Sequence, residues 1–425
     1  MSNLKNYYLL VVILGLAGCN SKSDVSEVPA PGDSPSAAVR PASAAETELP
    51  VQLLSDAELS EGWLSLFDGV SLYGWQATSD ANWQVTDGAI TVDSGGKGLL
   101  CTTSPFSDYV LKLEFQAEPT TNSGVFLRTG LSPADVAVDC YELNIAPPDN
   151  PFPTGGLVAR AKAPADLNRD GWQTFEIFVE GGRLRVVLDG TKVLDYQDPA
   201  PVRRGLIGLQ LNEGKVAFRN IRIRPLGLKD LFNGTDLSGW KTYPEMASEF
   251  SVTSDGDLVV KNGPGQLETT EAYRNFVLQL QCKVNAPGLN SGIFFRCIPG
   301  QWMGYESQIH NGYTGGNRSK PKDWGTGAIF QRQKARLVNA DDLVWFHKTL
   351  IADGPHIAVW VNGLQVSDWT DTRTPDPNPR EGQRLEAGPI IIQGHDPTTD
   401  LSFRQMRISE LPPRIVVVRS ANRTP

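Results

Sequence analysis

The segment LFDGVSLYGW at 66–75 returns as LFNGTDLSGW at 231–240, and this repetition limits the chain more than any other feature. NSGVFLR at 122–128 is answered by NSGIFFR at 290–296, and Tyr141-Glu142 by Tyr305-Glu306. Trp172 precedes Gly190 by 18 residues, the interval that also separates Trp345 from Gly363. GLQLNEGKVAFRNIRI at 208–223 matches IIQGHDPTTDLSFRQMRI at 391–408. The offset widens from 165 at the first landmark to 183 at the last, so the second copy carries loop insertions. A chain of 425 residues has room for two or three ordinary domains. The repeat sets the number at two, over about 62–226 and 229–411.

Each copy reads as a string of short strands. Leu111 to Phe115, Val125 to Leu127, Phe175 to Val179 and Leu184 to Leu188 mix β-branched and aromatic residues between Gly, Asn and Asp. No stretch keeps a long 3.6-residue apolar period. With 41 Gly, 30 Pro and only 4 Met, the composition agrees with turn-rich β structure. An all-β fold of two antiparallel sandwiches is the expectation. Trp75 and Trp240 follow the same Gly turn and are expected in the two cores.

Upstream of the repeats, Lys5 precedes an apolar run from Tyr7 to Leu16, too short to span a bilayer but suited to a signal peptide over 1–18. The run closes on Leu16-Ala17-Gly18-Cys19, which resembles a bacterial lipobox. That resemblance implies cleavage before Cys19 and its acylation, and several acyl chains make a firm membrane anchor. Asn20 after the Cys, in place of Asp, favours the outer membrane of the cell envelope. Residues 19–61 then read as a lipidated Cys, a Ser/Pro/Ala-rich tether and a short helix. Ser55-Asp56-Ala57-Glu58 is a capping box for that helix, with Leu59 its apolar contact and Gly62 its end. The tether takes most of the charge: 20–61 holds eight acids against two bases, within a net −9 for the chain. The repeats are near neutral and carry no basic stripe, which argues against a nucleic-acid partner. The tail 412–425 is either a capping strand or disordered.

Four Cys remain besides Cys19. Export permits disulfides, and Cys282 and Cys297 flank an expected hairpin turning near 287–290, where a cross-strand bridge is conceivable. The first copy has Glu114 and Thr129 at those positions, so the repeats share no disulfide framework. No CxxC pair or His cluster points to zinc, and no Asp-rich loop to calcium. No cofactor is expected; a bound divalent cation is the open alternative, with no motif that calls for it.

Alternation along 304–310 places Glu306, Gln308 and His310 on one side of a strand and Tyr305, Ser307 and Ile309 on the other. The same rule groups Asn290, Gly292, Phe294 and Arg296, and further on Ile391, Gln393 and His395. If these faces coincide, one concave surface offers carboxylate, amide, imidazole and guanidinium groups to a sugar. The first copy keeps Arg128, Glu142, Asn144 and Gln210 but has Ala146 where the second has His310. All four His lie in the second copy. It is therefore the expected active copy, and the first a degenerate one. His347 and His356 are expected at the surface.

At these residues the sequence resembles the 3-keto-disaccharide hydrolase family. The resemblance rests on LF-D/N-G…L-x-GW, the NSG strand, the Gly304-Tyr305-Glu306-x-Gln308 strand, Thr326-Gly327-Ala328-Ile329 and the closing Gln…Phe-Arg strand. It covers nearly all of 62–411, with the first copy departing at Asn144 and Ala146. It implies concanavalin-like jelly-roll sandwiches acting on glycosides oxidised at C3. The ketone acidifies the C2–H, a base removes that proton, the C1 leaving group departs, and water adds to the enone. Under this reading Glu306 or His310 is the base, Arg296 or His395 the oxyanion partner, and the remaining His the acid. Gln308, Gln393, Asn290 and Trp324 bind substrate. A glycosidase with two carboxylates fits less well, since only Glu306 is well placed. The non-enzymatic alternatives are a carbohydrate-binding surface lipoprotein, with Trp302, Trp324, Trp360 and Trp369 available for stacking, and a scaffold of a surface complex.

Overall fold

The computed structural model describes residues 52–164 and 167–413. The signal peptide, Cys19, most of the tether and nearly all of the tail lie outside the described residues. Among the described residues no helix is long and apolar enough to cross a membrane.

The chain forms two all-β jelly-roll sandwiches in tandem, each an eight-stranded sheet against a five-stranded one. The first large sheet runs, in order, Thr191–Gln197, Arg183–Leu188, Gln173–Glu180, Tyr109–Ala117, Val216–Pro225, Ala89–Val92 and Gln84–Thr86, with Leu64–Ser65 paired to 216–225. Its partner runs Trp75–Ala77, Gly98–Thr102, Leu206–Leu211, Ser123–Thr129 and Tyr141–Ile145. The second copy repeats both orders, and its small sheet is Trp240–Lys241, Gly265–Thr269, Ile391–Gly394, Ser291–Phe295 and Tyr305–Ile309. Strand alternation fills each interior from the inner faces of both sheets. Trp75 and Trp240 are buried members of the two cores.

The Asp56–Glu61 helix has the expected capping box, Ser55 accepting from the Glu58 backbone while Glu58 reaches back to Ser55. Gly62 ends it in the left-handed region at φ 88°, and Leu59 is buried. The first core continues into the second copy through Val277, Ile351, Ala358 and Trp360. The Trp360 indole N–H donates to Ser65 O at 3.0 Å, and a buried Arg204–Asp353 pair closes at 2.9 Å. Trp360 is thus interior, out of reach of a sugar.

Two expectations are corrected. Cys282 and Cys297 do not flank a hairpin: Cys282 lies on the Phe276–Val284 strand of the large sheet, while Cys297 follows the Ser291–Phe295 strand of the small one. Cys282 pairs in register with Phe346 and Phe403, and all four described cysteines are free and buried. The turn at 287–290 carries the chain from one sheet to the other. His347 and His356 are also less exposed than expected. Each is half-buried, and His356 sits between the copies with Nε2 3.1 Å from Ser104 Oγ and 3.2 Å from Asp368.

Candidate functional site

The small sheet of the second copy turns Leu267, Ile293, Ile309 and Ile392 into the core, so the intervening residues line its outer face. Register assembles those residues into rows. Gln266 opposes Gln393, Gly292 opposes Gln308, and the Ile293–Ile392 pairing brings Gly292 beside Gln393. The next row reads Glu268, Ile391, Phe294, Glu306. Phe294, Ile391 and Cys297 form an apolar floor, with Trp302 packed against it.

Glu306 is the focus of this face. A Cβ built on Gly292 would come 2.5 Å from Glu306 Oε1, so the absent side chain lets the carboxyl lie over the middle of the amide row. That contact gives the Gly of NSG a physical reason. Glu306 is 8% exposed, and no hydrogen bond to its carboxylate is found among the described residues. Burial pushes its pKa up to about 7, against the opposing pull of Arg380 and Lys348. Beside it a small pocket is lined by Phe330, Arg332 and Arg380. Arg380 stands 6.0 Å from the Phe294 ring centroid, an exposed cation above the floor.

Three amide ends in the same row are left without partners. Gln266 Nε2, Gln393 Oε1 and Gln308 Oε1 are buried with no hydrogen bond, on side chains at least nine-tenths buried. Buried polar atoms seldom stay unpaired, and here one donor and two acceptors face the outer side of the sheet. Gln308 Nε2 is engaged, donating to Asn290 Oδ1 at 3.2 Å and Asp323 Oδ2 at 3.0 Å. Asn290 and Asp323 therefore brace Gln308.

The other expected residues divide. His310 follows the end of its strand, and its Nδ1 accepts from the Gly312 backbone N–H at 3.2 Å. In the neutral ring the proton then sits on Nε2, which leaves that atom a donor. Glu306 and His310 are four residues apart on an extended strand, about 13 Å between Cα atoms, so they meet over one ligand only by leaning inward across Gln308. His395 lies one residue past its strand, exposed, with Nδ1 2.8 Å from Asp396. Trp324 packs on the core and edge-on to Phe330, whereas Trp302 lies with the floor and has an unpartnered indole N–H.

Arg296 is not part of this face. Its φ of +51° turns it out of the strand alternation, and its fully buried guanidinium donates to Arg274 O, Gly354 O and Asn275 Oδ1. Arg128 does the same in the first copy at φ +52°, holding Ser107 O, Gly181 O, Val202 O and Asp108. Alternation fails where the backbone turns left-handed: in the first copy the pairing shifts register here, and in the second Arg296 stands one residue past its strand.

Sequence reasoning missed Gln266, Glu268 and Arg380. Glu268 is buried, and its Oε2 accepts from Tyr243 Oη at 2.9 Å and Gly300 N at 2.7 Å. The signal was GLLCT at 98–102 against GQLET at 265–269, in which apolar Leu99 and Cys101 stand for Gln266 and Glu268. The first-copy face is accordingly more apolar, with a cluster of Leu99, Cys101, Phe126, Cys140 and Leu206 under Val136, although Asn144 and Gln210 remain on it, each with a buried amide oxygen unpartnered among the described residues. It keeps Glu142, whose pKa burial also raises. Arg380 lies in an insertion, where a repeat comparison is blind. Among the described residues no three His, Cys, Asp or Glu side chains gather as a metal site.

The sequence pattern of the 3-keto-alpha-glucoside-1,2-lyase-like domain matches residues 62–224 and again 227–409. Both copies, and most of the chain, are covered, so the chain belongs to this family. No curated protein sequence matches the chain. Among solved structures, a candidate glycosyl hydrolase from Parabacteroides distasonis is 26% identical, with 44% of this chain and 100% of that one covered and a TM-score of 0.33. A second from the same organism is 27% identical over 44% of this chain and 85% of its own, with a TM-score of 0.35. A carbohydrate binding module from Bacillus subtilis is 18% identical over 35% and 94%, with a TM-score of 0.29.

Proposed function

We propose that this member of the 3-keto-alpha-glucoside-1,2-lyase-like family cleaves 3-keto-glycosides at the outer face of its second sandwich. The observation that carries the reading is a desolvated carboxylate without a hydrogen bond among the described residues, on the strand row next to three orphaned amide ends and leaning over Gly292 in their row. Glu306 is the base. A carboxyl raised to about 7 still ionises near neutrality yet accepts a proton far better than an ordinary Glu. It takes the C2 proton, the C2–H electrons pass into an enolate with the C3 oxygen, and Arg380 faces the developing charge. The enolate then expels the C1 substituent, His310 donating the Nε2 proton to the leaving oxygen. Water adds across the enone to complete net hydrolysis. Gln266, Gln393 and Gln308 grip hydroxyls, and Trp302 offers ring surface.

Two carboxylates do face this surface, but Glu268 and Glu306 stand about 14 Å apart across three strand spacings. Glu268 is also tied to Tyr243 and the backbone. This disfavours a paired-carboxylate glycosidase. The proposal extends to location: acylation at Cys19 would hold the pair of sandwiches at the cell envelope. Labelling with a radioactive fatty acid, lost in Cys19→Ala, checks that part.

The test of function is incubation of the full chain with a 3-keto-glucoside carrying a chromogenic aglycone, alongside the unoxidised glucoside. Release from the keto compound alone supports the reading. Binding of both without release would mark the face as a carbohydrate-binding surface instead.

A further inference from the structure

Lys348 is buried at 2% exposure in the interior of the second sandwich. It belongs to the Phe346–Asp353 strand of the large sheet, and its ammonium crosses to the small one. There it donates to Ser307 O and Gln308 O, both at 2.9 Å. Those carbonyls belong to the strand whose opposite face carries Glu306. An interior ammonium costs several kcal/mol in desolvation, so the position calls for a reason.

The first copy shows that the fold does not need it. Counting from the paired Trp172 and Trp345, Lys348 stands where the first copy has Phe175. Its register neighbour Leu280 likewise answers Leu113, the neighbour of Phe175. Two more interior positions have changed with it: strand register sets Phe115, rather than the Glu114 expected from sequence spacing, against Cys282, and Leu143 against Ser307. In the first copy Phe115 and Phe175 stack at 4.7 Å, and Leu143 is fully buried. Replacing Phe and Leu by Cys and Ser makes room for the lysine stem. The substitution is concerted and confined to the copy with the polar face.

We propose that Lys348 is the positioning and charge-balancing residue for Glu306, acting through the strand from its core side. It fixes the two carbonyls that flank the Gln308 Cα and places a cation behind the carboxylate. The inference rests on the reading of Glu306 as the base, but its test does not use turnover. The groups facing Glu306 are Arg380, Arg332 and Asp323 on the outer side and Lys348 behind; those facing Lys348 are Cys282 and Glu306. Burial brings the lysine down to about 7, so both partners titrate in the same range.

The experiment is a pH titration of the full chain by NMR, with the Glu306 carboxyl assigned through its loss in Glu306→Gln. Lys348→Met should move the Glu306 midpoint upward by about one pH unit, the size expected for a charge several ångströms away at an effective dielectric near ~20. Reciprocally, Glu306→Gln should move the Lys348 ammonium midpoint down, a measurement that decides the matter even if Lys348→Met does not fold. Midpoints that stay in place would overturn the proposal and leave Lys348 a structural strap. If they move together while no 3-keto-glycoside is turned over, the functional reading fails and this one stands.

Discussion

Glu306 and Gly292 form a single device, since the glycine is what allows the carboxyl to lie across the sheet. Gly292→Ala should leave the fold intact, because the atoms nearest the added methyl all belong to the Glu306 side chain, Oε1 at 2.5 Å, Cγ at 2.9 Å and Cδ at 3.1 Å, which can swing aside. It should nonetheless displace the carboxyl and lower kcat/KM at least about tenfold with little change in Tm. Glu306→Gln should cost about 10²–10⁴-fold in kcat, the usual contribution of a general base. Turnover by the wild type should rise with pH through about 7 as Glu306 ionises. The same shift has a sign for stability: a carboxyl raised on folding binds more protons native than unfolded between its ordinary value and about 7. Its contribution to stability therefore falls as pH rises through that window. Glu306 and Gln308 were legible from alternation alone. Gln266, Glu268 and Arg380 were not, because which strand lies beside which is set by pairing remote in sequence.

At the scale of elements, the NSG strand shows where alternation stops. Extended as a regular strand, it would put Arg296 beside Glu306. The left-handed residue at its end instead turns the guanidinium inward onto backbone carbonyls. Arg296→Met should thus act on stability, lowering it by about 3 kcal/mol or more by stranding buried carbonyls. Arg128→Met should do the same in the first sandwich, as thermal melts of the two variants would register. A catalytic oxyanion partner would instead lose turnover at unchanged Tm. Strand positions, the helix cap and the buried Trp75 and Trp240 were readable because they follow from local period and turn chemistry. The left-handed turn was not, nor was the passage from one sheet to the other at 287–290 that parts Cys282 from Cys297.

Across the whole molecule the two sandwiches share one design but differ in the outer faces of their small sheets, more apolar around Glu142, Asn144 and Gln210 in the first copy and more polar in the second. Their shared core predicts a single cooperative unfolding transition, and Trp360→Ala should cost about 3–5 kcal/mol and split it in calorimetry. The repeat in the sequence foretold the pairing of domains, while the contact between them rests on side chains such as Trp360 that local period marks only as strand. The proposed division of labour between the copies rests on Ala146, Leu99 and Cys101 standing where the second has His310, Gln266 and Glu268. The central claim, that Glu306 begins cleavage by removing the C2 proton, is tested most directly by turnover of a 3-keto-glucoside in deuterium oxide. Proton abstraction by Glu306 followed by addition of solvent should leave one deuterium at C2 of the sugar product at early times, with both release and labelling lost in Glu306→Gln. Aglycone release with the original C2 hydrogen retained would contradict it.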